Sequence, residues 1–216
     1  MLSTLFTNPF LFIIYLIALL VAITIHEFAH AITADYLGDP TPRIQGRVSL
    51  NPLVHLDMFG TLLIVLMGFG WGKPVVFDPY NLKHPRKDAA VISFAGPLSN
   101  FILAIVLSLV LRLSYLFDHS TFFTISYFFF APAISINIML GIFNLIPIHP
   151  LDGFKIVGGI LPEDKAHEWY QLERYGMIFL ILLIIPLGQR SLVSSIIGPI
   201  ISFITNLLIP EMRGSI

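Results

Sequence analysis

Five consecutive residues, His26-Glu27-Phe28-Ala29-His30, place two imidazoles and a carboxylate at a spacing suited to metal chemistry. On a helix, residues four apart share one face, so His26 and His30 can both bind a single metal ion. Glu27 lies beside them and can accept a proton from a water molecule at that metal. The pattern predicts a hydrolytic metal centre. The alternative is a pair of core histidines satisfied by hydrogen bonds.

A catalytic zinc ion usually has three protein ligands and a fourth position open to water. The chain contains no cysteine, so the third ligand must be a histidine or a carboxylate. Asp152 is the best candidate, because it follows the long uncharged stretch 119–151 where Pro147 and Pro150 must end a helix. Two imidazoles and one carboxylate suit zinc. The alternative for Asp152 is an ordinary loop aspartate before a turn glycine.

The composition indicates an integral membrane protein. Of 216 residues, 56% are apolar and only 12% are charged, whereas a soluble domain carries about 25% charged residues. The net charge of −1 leaves no basic excess for binding nucleic acid. Ionisable groups inside a membrane segment are costly unless they serve a function, which strengthens the interpretation of the His-Glu-His cluster. We therefore expect a lipid bilayer around one membrane domain, residues 1–216.

Uncharged runs of about 20 residues are long enough to cross a bilayer as helices. They predict an all-α polytopic membrane protein with a core of three helices. The expected elements are spans over 1–33, 89–113 and 122–152, an interfacial helix over 162–175, and a C-terminal helical hairpin over 176–210 with its turn at 188–190.

The uncharged run 58–72 has only 15 residues, about 22 Å if helical, and contains four glycines, so it is either a short, tilted span or a segment that enters the membrane and returns to the same side. Weak strand character flanks it at 44–50 and 74–77. We therefore expect segment 43–80 to re-enter the membrane and to be partly β, covered by protein or lining a water-filled cavity.

The distribution of basic residues favours the re-entrant topology. If segment 58–72 enters the membrane and leaves on the side from which it entered, the N-terminus lies outside the cell and ten of the twelve basic residues lie inside. The inner ten are Arg43, Arg47, Lys73, Lys83, Arg86, Lys87, Lys155, Lys165, Arg174 and Arg213; the outer two are Arg112 and Arg190. The same topology places His26 and Asp152 together near the cytoplasmic face of the cell (inner or plasma) membrane. If 58–72 crossed, they would lie on opposite sides.

Two asparagines lie near the predicted ligands in sequence. Asn144 comes about two helical turns before Asp152, and Asn100 closes the helix-breaking run Gly96-Pro97-Leu98-Ser99-Asn100. Such residues either pack closely against another helix or present an amide to a substrate backbone. Both interpretations stay open for each residue, and both residues are candidates for substrate binding.

Three elements of the chain together resemble the signature of the site-2 proteases, the intramembrane zinc metalloproteases of peptidase family M50. They are His26-Glu27-Phe28-Ala29-His30, Gly96-Pro97-Leu98-Ser99-Asn100 and Asn144-x-x-Pro147-x-x-Pro150-Leu151-Asp152-Gly153. The resemblance covers roughly residues 10–155. It implies a three-helix catalytic core with one zinc ion per chain held by His26, His30 and Asp152, and Glu27 as the catalytic base. It also implies a partly β segment between the first two core helices and a contact between Asn144 and the substrate strand.

The resemblance further implies hydrolysis of peptide bonds in or near transmembrane segments, with another transmembrane protein as substrate. We expect the short bacterial or archaeal form, because the chain has no room for a PDZ or CBS domain. Three further residues are candidates near the site. His149 is either a partner of the ligands, a proton carrier or a turn residue, and His55 with Asp57 either binds a second ion or shapes the substrate groove.

A different class of function uses the same residues. His26, Glu27, His30 and Asp152 could form a cation or proton relay in a membrane transporter. No inverted repeat is visible in the sequence, and the polar groups cluster at one end of the predicted spans, which argues against a transport path.

Overall fold

Three long helices form the centre of the molecule. The computed structural model of the chain describes residues 2–67, 70–117, 121–185 and 191–211, so the predicted turn at 188–190 and positions 68 and 69 lie outside the described residues. Within these ranges, α2 (Pro9–Tyr36), α5 (Pro85–Phe117) and α6 (Thr121–Asn144) are the helices long and apolar enough to cross a membrane. The prediction of an all-α membrane protein with a three-helix core is confirmed.

The sequence explains where the first of these helices begins. The Asn8 side chain accepts a hydrogen bond from the backbone N–H of Leu11 at 3.0 Å, and Pro9 occupies the first helical position, where its missing N–H has no effect. The helix then runs for 28 residues, about 42 Å at 1.5 Å per residue. This length carries His26 and His30 into the packed interior rather than leaving them at the surface.

The helices pack through small and branched apolar side chains. Ala18 and Ala22 of α2 meet Ile136 of α6, and a second cluster with Ala104 and Ile138 joins α5 to α6. Small residues allow the backbones to approach closely, which is the main source of association between helices in an apolar environment.

Gly96 is the point at which α5 passes closest to the two histidines. A Cβ atom added there would collide with the imidazole rings of His26 and His30. Only glycine therefore permits this approach of α5 to α2.

The described residues between α2 and α5 form no β-strand, so the prediction of a partly β segment is wrong. They contain α3 (Thr41–Ile44), the 3₁₀ turns Pro52–Val54 and Pro79–Asn81, and α4 (Met58–Met67). The strand-like pairing found among these residues is one isolated antiparallel bridge between Leu56 and Gly72. The physical reason is that the backbone pairing ends at Lys73, whose N–H donates to the His55 carbonyl, because the N–H groups of Val75 and Asp78 donate to the side chains of Glu27 and Asp39. Helix α4 is about 15 Å long, half the hydrocarbon thickness; its re-entry into the membrane stays a prediction.

Four helices follow the core. They are α7 (Asp152–Ile160), α8 (Glu163–Gln171), α9 (Gly176–Ile184) and α10 (Leu192–Leu208), with a 3₁₀ turn at Leu172–Tyr175; the chain begins with the short helix α1 (Leu2–Thr7). Helices α9 and α10 lie within the predicted hairpin and are about 14 and 26 Å long. Whether they cross the membrane stays a prediction, as does the interfacial position of α8.

We expect Gly96→Ala to lower the free energy of unfolding by about 1–3 kcal/mol, because the added methyl group must displace two buried rings. Gly198→Ala is the matched control. Gly198 lies inside α10 with no atom within 4 Å of an added Cβ, so the substitution should leave stability unchanged or raise it by up to about 1 kcal/mol. Thermal unfolding in detergent, followed by circular dichroism, measures both. Equal midpoints for the two variants would contradict the close approach of α5.

Candidate metal centre

Three possible ligand atoms form a small triangle. His26 Nε2 lies 3.0 Å from His30 Nε2, and Asp152 Oδ2 lies 3.1 Å from the former and 3.3 Å from the latter. A tetrahedral zinc ion with ligands at 2.0–2.1 Å separates those ligands by about 3.3 Å. The three atoms therefore fit the coordination sphere of one metal ion. Among the described residues, His26, His30 and Asp152 form the one group of His and carboxylate side chains close enough together to bind a metal ion.

The burial of this triangle supports the same conclusion. His26 and His30 are only 5% and 7% exposed, and the buried Asp152 Oδ2 accepts no hydrogen bond. A buried carboxylate oxygen without a partner is costly. A cation between the three atoms would satisfy that oxygen and both imidazole nitrogens, so the donor set fits a divalent metal.

The ring nitrogens that point away from the triangle are also bonded. His26 Nδ1 lies 2.7 Å from Asn100 Oδ1, and His30 Nδ1 lies 2.7 Å from the Ile92 carbonyl oxygen. Both oxygens only accept, so each Nδ1 carries the proton and each Nε2 presents a lone pair to a metal. The α5 helix thus fixes the orientation of both imidazoles of α2.

Asp152 reaches the histidines because the chain turns sharply after α6. Helix α6 ends at Asn144 and α7 begins at Asp152, as expected from Pro147 and Pro150. The intervening turn is closed by the Leu151 N–H, which donates to the Ile148 carbonyl at 2.8 Å. Asp152 stands in the first turn of α7, where the helix dipole favours a negative charge.

Glu27 lies next to the triangle but does not belong to it. Its Oε2 accepts a hydrogen bond from the backbone N–H of Val75 at 3.0 Å, and Arg47 Nη2 is 3.8 Å from the same oxygen. The carboxylate is therefore oriented by the segment 73–78 rather than by the helix that carries it.

Segment 73–78 is held at both ends by buried charged side chains. Arg47, 3% exposed, donates to the carbonyls of Val54 and Lys73. At the other end, the fully buried Asp39 accepts from the Asp78 N–H at 2.7 Å and from the Asn81 side chain at 2.9 Å. Both ends are thereby fixed relative to α2, and Val75 between them meets Glu27.

The same burial shifts the ionisation of these groups. Burial lowers the pKa of the Arg47 guanidinium, and the nearby Glu27 carboxylate partly offsets this. Burial alone would raise the pKa of Asp39, but hydrogen bonds from Thr41, Asn81 and Asp78 outweigh it and hold the pKa below its ordinary value. Asp39 is consequently ionised at neutral pH.

Sequence reasoning missed Arg47, Asp39 and the Val75 N–H as parts of the site. Arg47 was interpreted only as an inside charge, and no periodic pattern marks it. A signal does exist for Asp39, because an aspartate after Gly38 and before Pro40 and Thr41 suits a turn in which the carboxylate bonds backbone N–H groups. The Val75 N–H could not be found from the sequence, because every residue other than proline carries the same backbone donor.

The other candidates from the sequence lie outside the triangle. His55 is fully buried and lies 2.7 Å from the Ser49 carbonyl through Nε2; burial lowers its pKa. Asp57 accepts from the Gly60 N–H at 2.8 Å at the start of α4, and His149 Nδ1 lies 3.6 Å from Glu173 Oε1. Within the described residues, neither His55 nor Asp57 belongs to a second group able to hold a metal.

The two asparagines occupy different environments. Asn144 is half-buried at the end of α6 and donates to the Leu140 carbonyl at 3.0 Å. Asn100 is fully buried, and its amide bonds to His26, Asn137 and the Ala22 carbonyl. This arrangement favours a role for Asn100 inside the protein and leaves substrate contact to Asn144 as a prediction.

Comparison with known proteins agrees with this site. The model of peptidase family M50 matches residues 14–126 and 117–185. The protein YwhC of Bacillus subtilis, which carries the name of a zinc metalloprotease, is 42% identical over 177 residues, covering 80% of this chain and 81% of its own. Rip2 of Mycolicibacterium smegmatis, likewise named as a zinc metalloprotease, is 27% identical over 180 residues, covering 81% of this chain and 67% of its own.

A zinc metalloprotease of Methanocaldococcus jannaschii is 28% identical over 165 residues, which cover 74% of this chain and 38% of that protein. No solved structure shows a significant match. The family match covers most of the chain and includes both histidines, Glu27 and Asp152. The chain therefore belongs to peptidase family M50, and it is a membrane metalloprotease of that family.

Proposed function

We propose that the protein is an intramembrane zinc protease that cuts peptide bonds in or near the transmembrane segments of other membrane proteins. The observation that carries the proposal is the triangle of His26, His30 and Asp152, built inside a bundle of helices long enough to span a bilayer. The names of the relatives support zinc as the metal. Ligands of two neutral imidazoles and one carboxylate fit this ion.

Four residues have distinct roles in the proposed reaction. His26, His30 and Asp152 would hold the ion, which when bound supplies a Lewis acid that polarises the scissile carbonyl and makes water more acidic. Glu27 takes a proton from the attacking water and returns it to the leaving amine. Because the Val75 N–H occupies Oε2 of Glu27, we assign the proton transfer to Oε1.

The membrane position of the site is part of the proposal. The excess of basic residues on one side supports an N-terminus outside and a site near the cytoplasmic face, where water can reach Glu27. A transmembrane substrate must unwind locally before attack, because its carbonyls are bonded within its own helix. Asn144, half-buried two turns before Asp152, is the side chain we propose to contact the unwound stretch.

Metal analysis of the detergent-purified protein tests the ligand set. We expect about one zinc per chain in the wild type and in Glu27→Gln, and none in His26→Ala or Asp152→Asn. His167→Ala and Asp164→Asn on the exposed face of α8 are matched controls and should keep the metal. Zinc retained by Asp152→Asn would remove Asp152 from the site. A wild type that binds no added zinc would overturn the proposal.

Cleavage of a transmembrane reporter in liposomes tests the role of Glu27. We expect Glu27→Gln to slow cleavage by about 10²–10⁴-fold, because it removes the proton acceptor and keeps the ligands. Glu163→Gln, in the first turn of α8, is the control and should cleave at the wild-type rate. If the wild type cut only soluble peptides and left the reporter intact, the intramembrane part of the proposal would be wrong.

Single-cysteine labelling tests the topology, since the chain has no cysteine of its own. A membrane-impermeant maleimide applied to intact cells should label Phe6→Cys and should reach Lys165→Cys only after the membrane is permeabilised. Both positions are exposed. The opposite pattern would place the N-terminus inside and the site at the outer face.

A further inference from the structure

A chain of buried amides runs from the metal ligand His26 through α5 into α6. Its members are Asn100 on α5 and Asn137 on α6, both fully buried. We propose that Asn137 is a positioning residue that acts through Asn100 to hold His26 in the tautomer that binds the metal. This inference rests on the proposed zinc site.

The first step fixes the amide of Asn137. Its Nδ2 donates at 2.9 Å to the carbonyl oxygen of Ala133, one turn earlier in the same helix. A carbonyl oxygen cannot donate, so the nitrogen of the Asn137 amide must lie on that side. The Oδ1 of Asn137 is consequently directed toward α5.

The second step fixes the amide of Asn100. Its Nδ2 donates to Asn137 Oδ1 at 2.8 Å and to the Ala22 carbonyl at 3.1 Å. Both partners are acceptors, and together they use both hydrogens of the amide nitrogen. The Oδ1 of Asn100 must then be the atom that faces His26.

The third step fixes His26. Asn100 Oδ1 lies 2.7 Å from His26 Nδ1 and can only accept, so Nδ1 carries the proton and Nε2 keeps its lone pair. With the Asn100 amide reversed, an N–H group would face Nδ1, and the proton of a neutral imidazole would move to Nε2, which could then bind no metal.

His30 needs no such arrangement, because its Nδ1 faces the backbone carbonyl of Ile92, and a carbonyl oxygen can only accept a hydrogen bond. His26 therefore depends on an amide side chain that can be placed in two orientations, and Asn137 together with the Ala22 carbonyl disfavours the wrong one. Hydrogen-bond partners behind a metal ligand typically change metal affinity by about 10–100-fold.

The decisive experiment measures zinc affinity, by competition with a chelator, for Asn137→Leu in two backgrounds. In the wild type we expect a loss of about tenfold or more. Asn100→Asp keeps an oxygen that accepts from Nδ1–H but loses the two hydrogen bonds that the Asn100 nitrogen donates, so its own zinc affinity is the reference for that background. In the Asn100→Asp background, Asn137→Leu should change the zinc affinity by less than about twofold. The two oxygens of a carboxylate are equivalent acceptors, so no neighbour is needed to select its orientation.

Two controls separate positioning from packing. Ser126→Ala removes another buried polar group of α6 and should leave zinc affinity unchanged. Asn137→Asp keeps the oxygen that accepts from Asn100 and nearly the same volume, but it loses the hydrogen bond to the Ala133 carbonyl; it should bind zinc more tightly than Asn137→Leu, because the acceptor for Asn100 remains. Thermal unfolding of the metal-free variants shows which of them fold.

The outcomes distinguish this inference from the proposed function. If Asn137→Leu weakens zinc binding equally in both backgrounds, Asn137 does not act through the orientation of the Asn100 amide and the inference is wrong. If Asn137→Asp loses as much affinity as Asn137→Leu, the oxygen that accepts from Asn100 does not matter for zinc binding and the inference is also wrong. If zinc binds the wild type and Asn137→Leu alike, the inference fails while the proposed function stands. If the wild type binds no zinc, both fail.

Discussion

The structure depends on the need to pair polar groups inside an apolar helix bundle. Two largely buried imidazoles meet a carboxylate whose buried Oδ2 accepts no hydrogen bond. A buried oxygen without a partner is costly, and a cation beside it removes that cost. The surrounding helices are therefore arranged around a metal position, and their other polar contacts serve to orient its ligands.

Close approach of the backbone makes this arrangement possible. Gly96 lets α5 touch the histidine rings of α2, and this contact places Ile92 and Asn100 of the same helix behind the two ligands. One helix thus orients both histidines without supplying a ligand. The constraint explains why a small residue and an amide occur together in the run Gly96-Pro97-Leu98-Ser99-Asn100.

The carboxylate of Glu27, the proton acceptor of our proposal, is oriented by a different part of the molecule. Glu27 is bonded to the backbone of segment 73–78, which Arg47 and Asp39 hold through backbone groups at its two ends. The two histidine ligands and the proposed proton acceptor therefore belong to one helix, but their side chains are oriented by different parts of the chain. In our proposal this separation allows Glu27 to move protons while the ligands stay in place.

The sequence by itself determined the chemistry and the broad architecture. The spacing of His26, Glu27 and His30 is a local property of one helix, and the uncharged runs follow directly from the length of a membrane span, so both could be predicted from residue types. Asp152 could also be predicted, because proline ends the preceding helix just before it. The prediction of a partly β segment over 43–80 was wrong, since the described residues pair only at one isolated bridge and the N–H groups of Val75 and Asp78 bond to distant side chains.

Only the tertiary structure decided which groups support the site. Arg47, Asp39 and the Val75 N–H act through contacts between residues far apart in the chain, as does the Asn137 oxygen that meets Asn100 across 37 positions. Composition and periodicity describe single elements and contain no record of which atoms of two elements meet. Those contacts are fixed by how closely the helices pack, and that is a property of the folded chain.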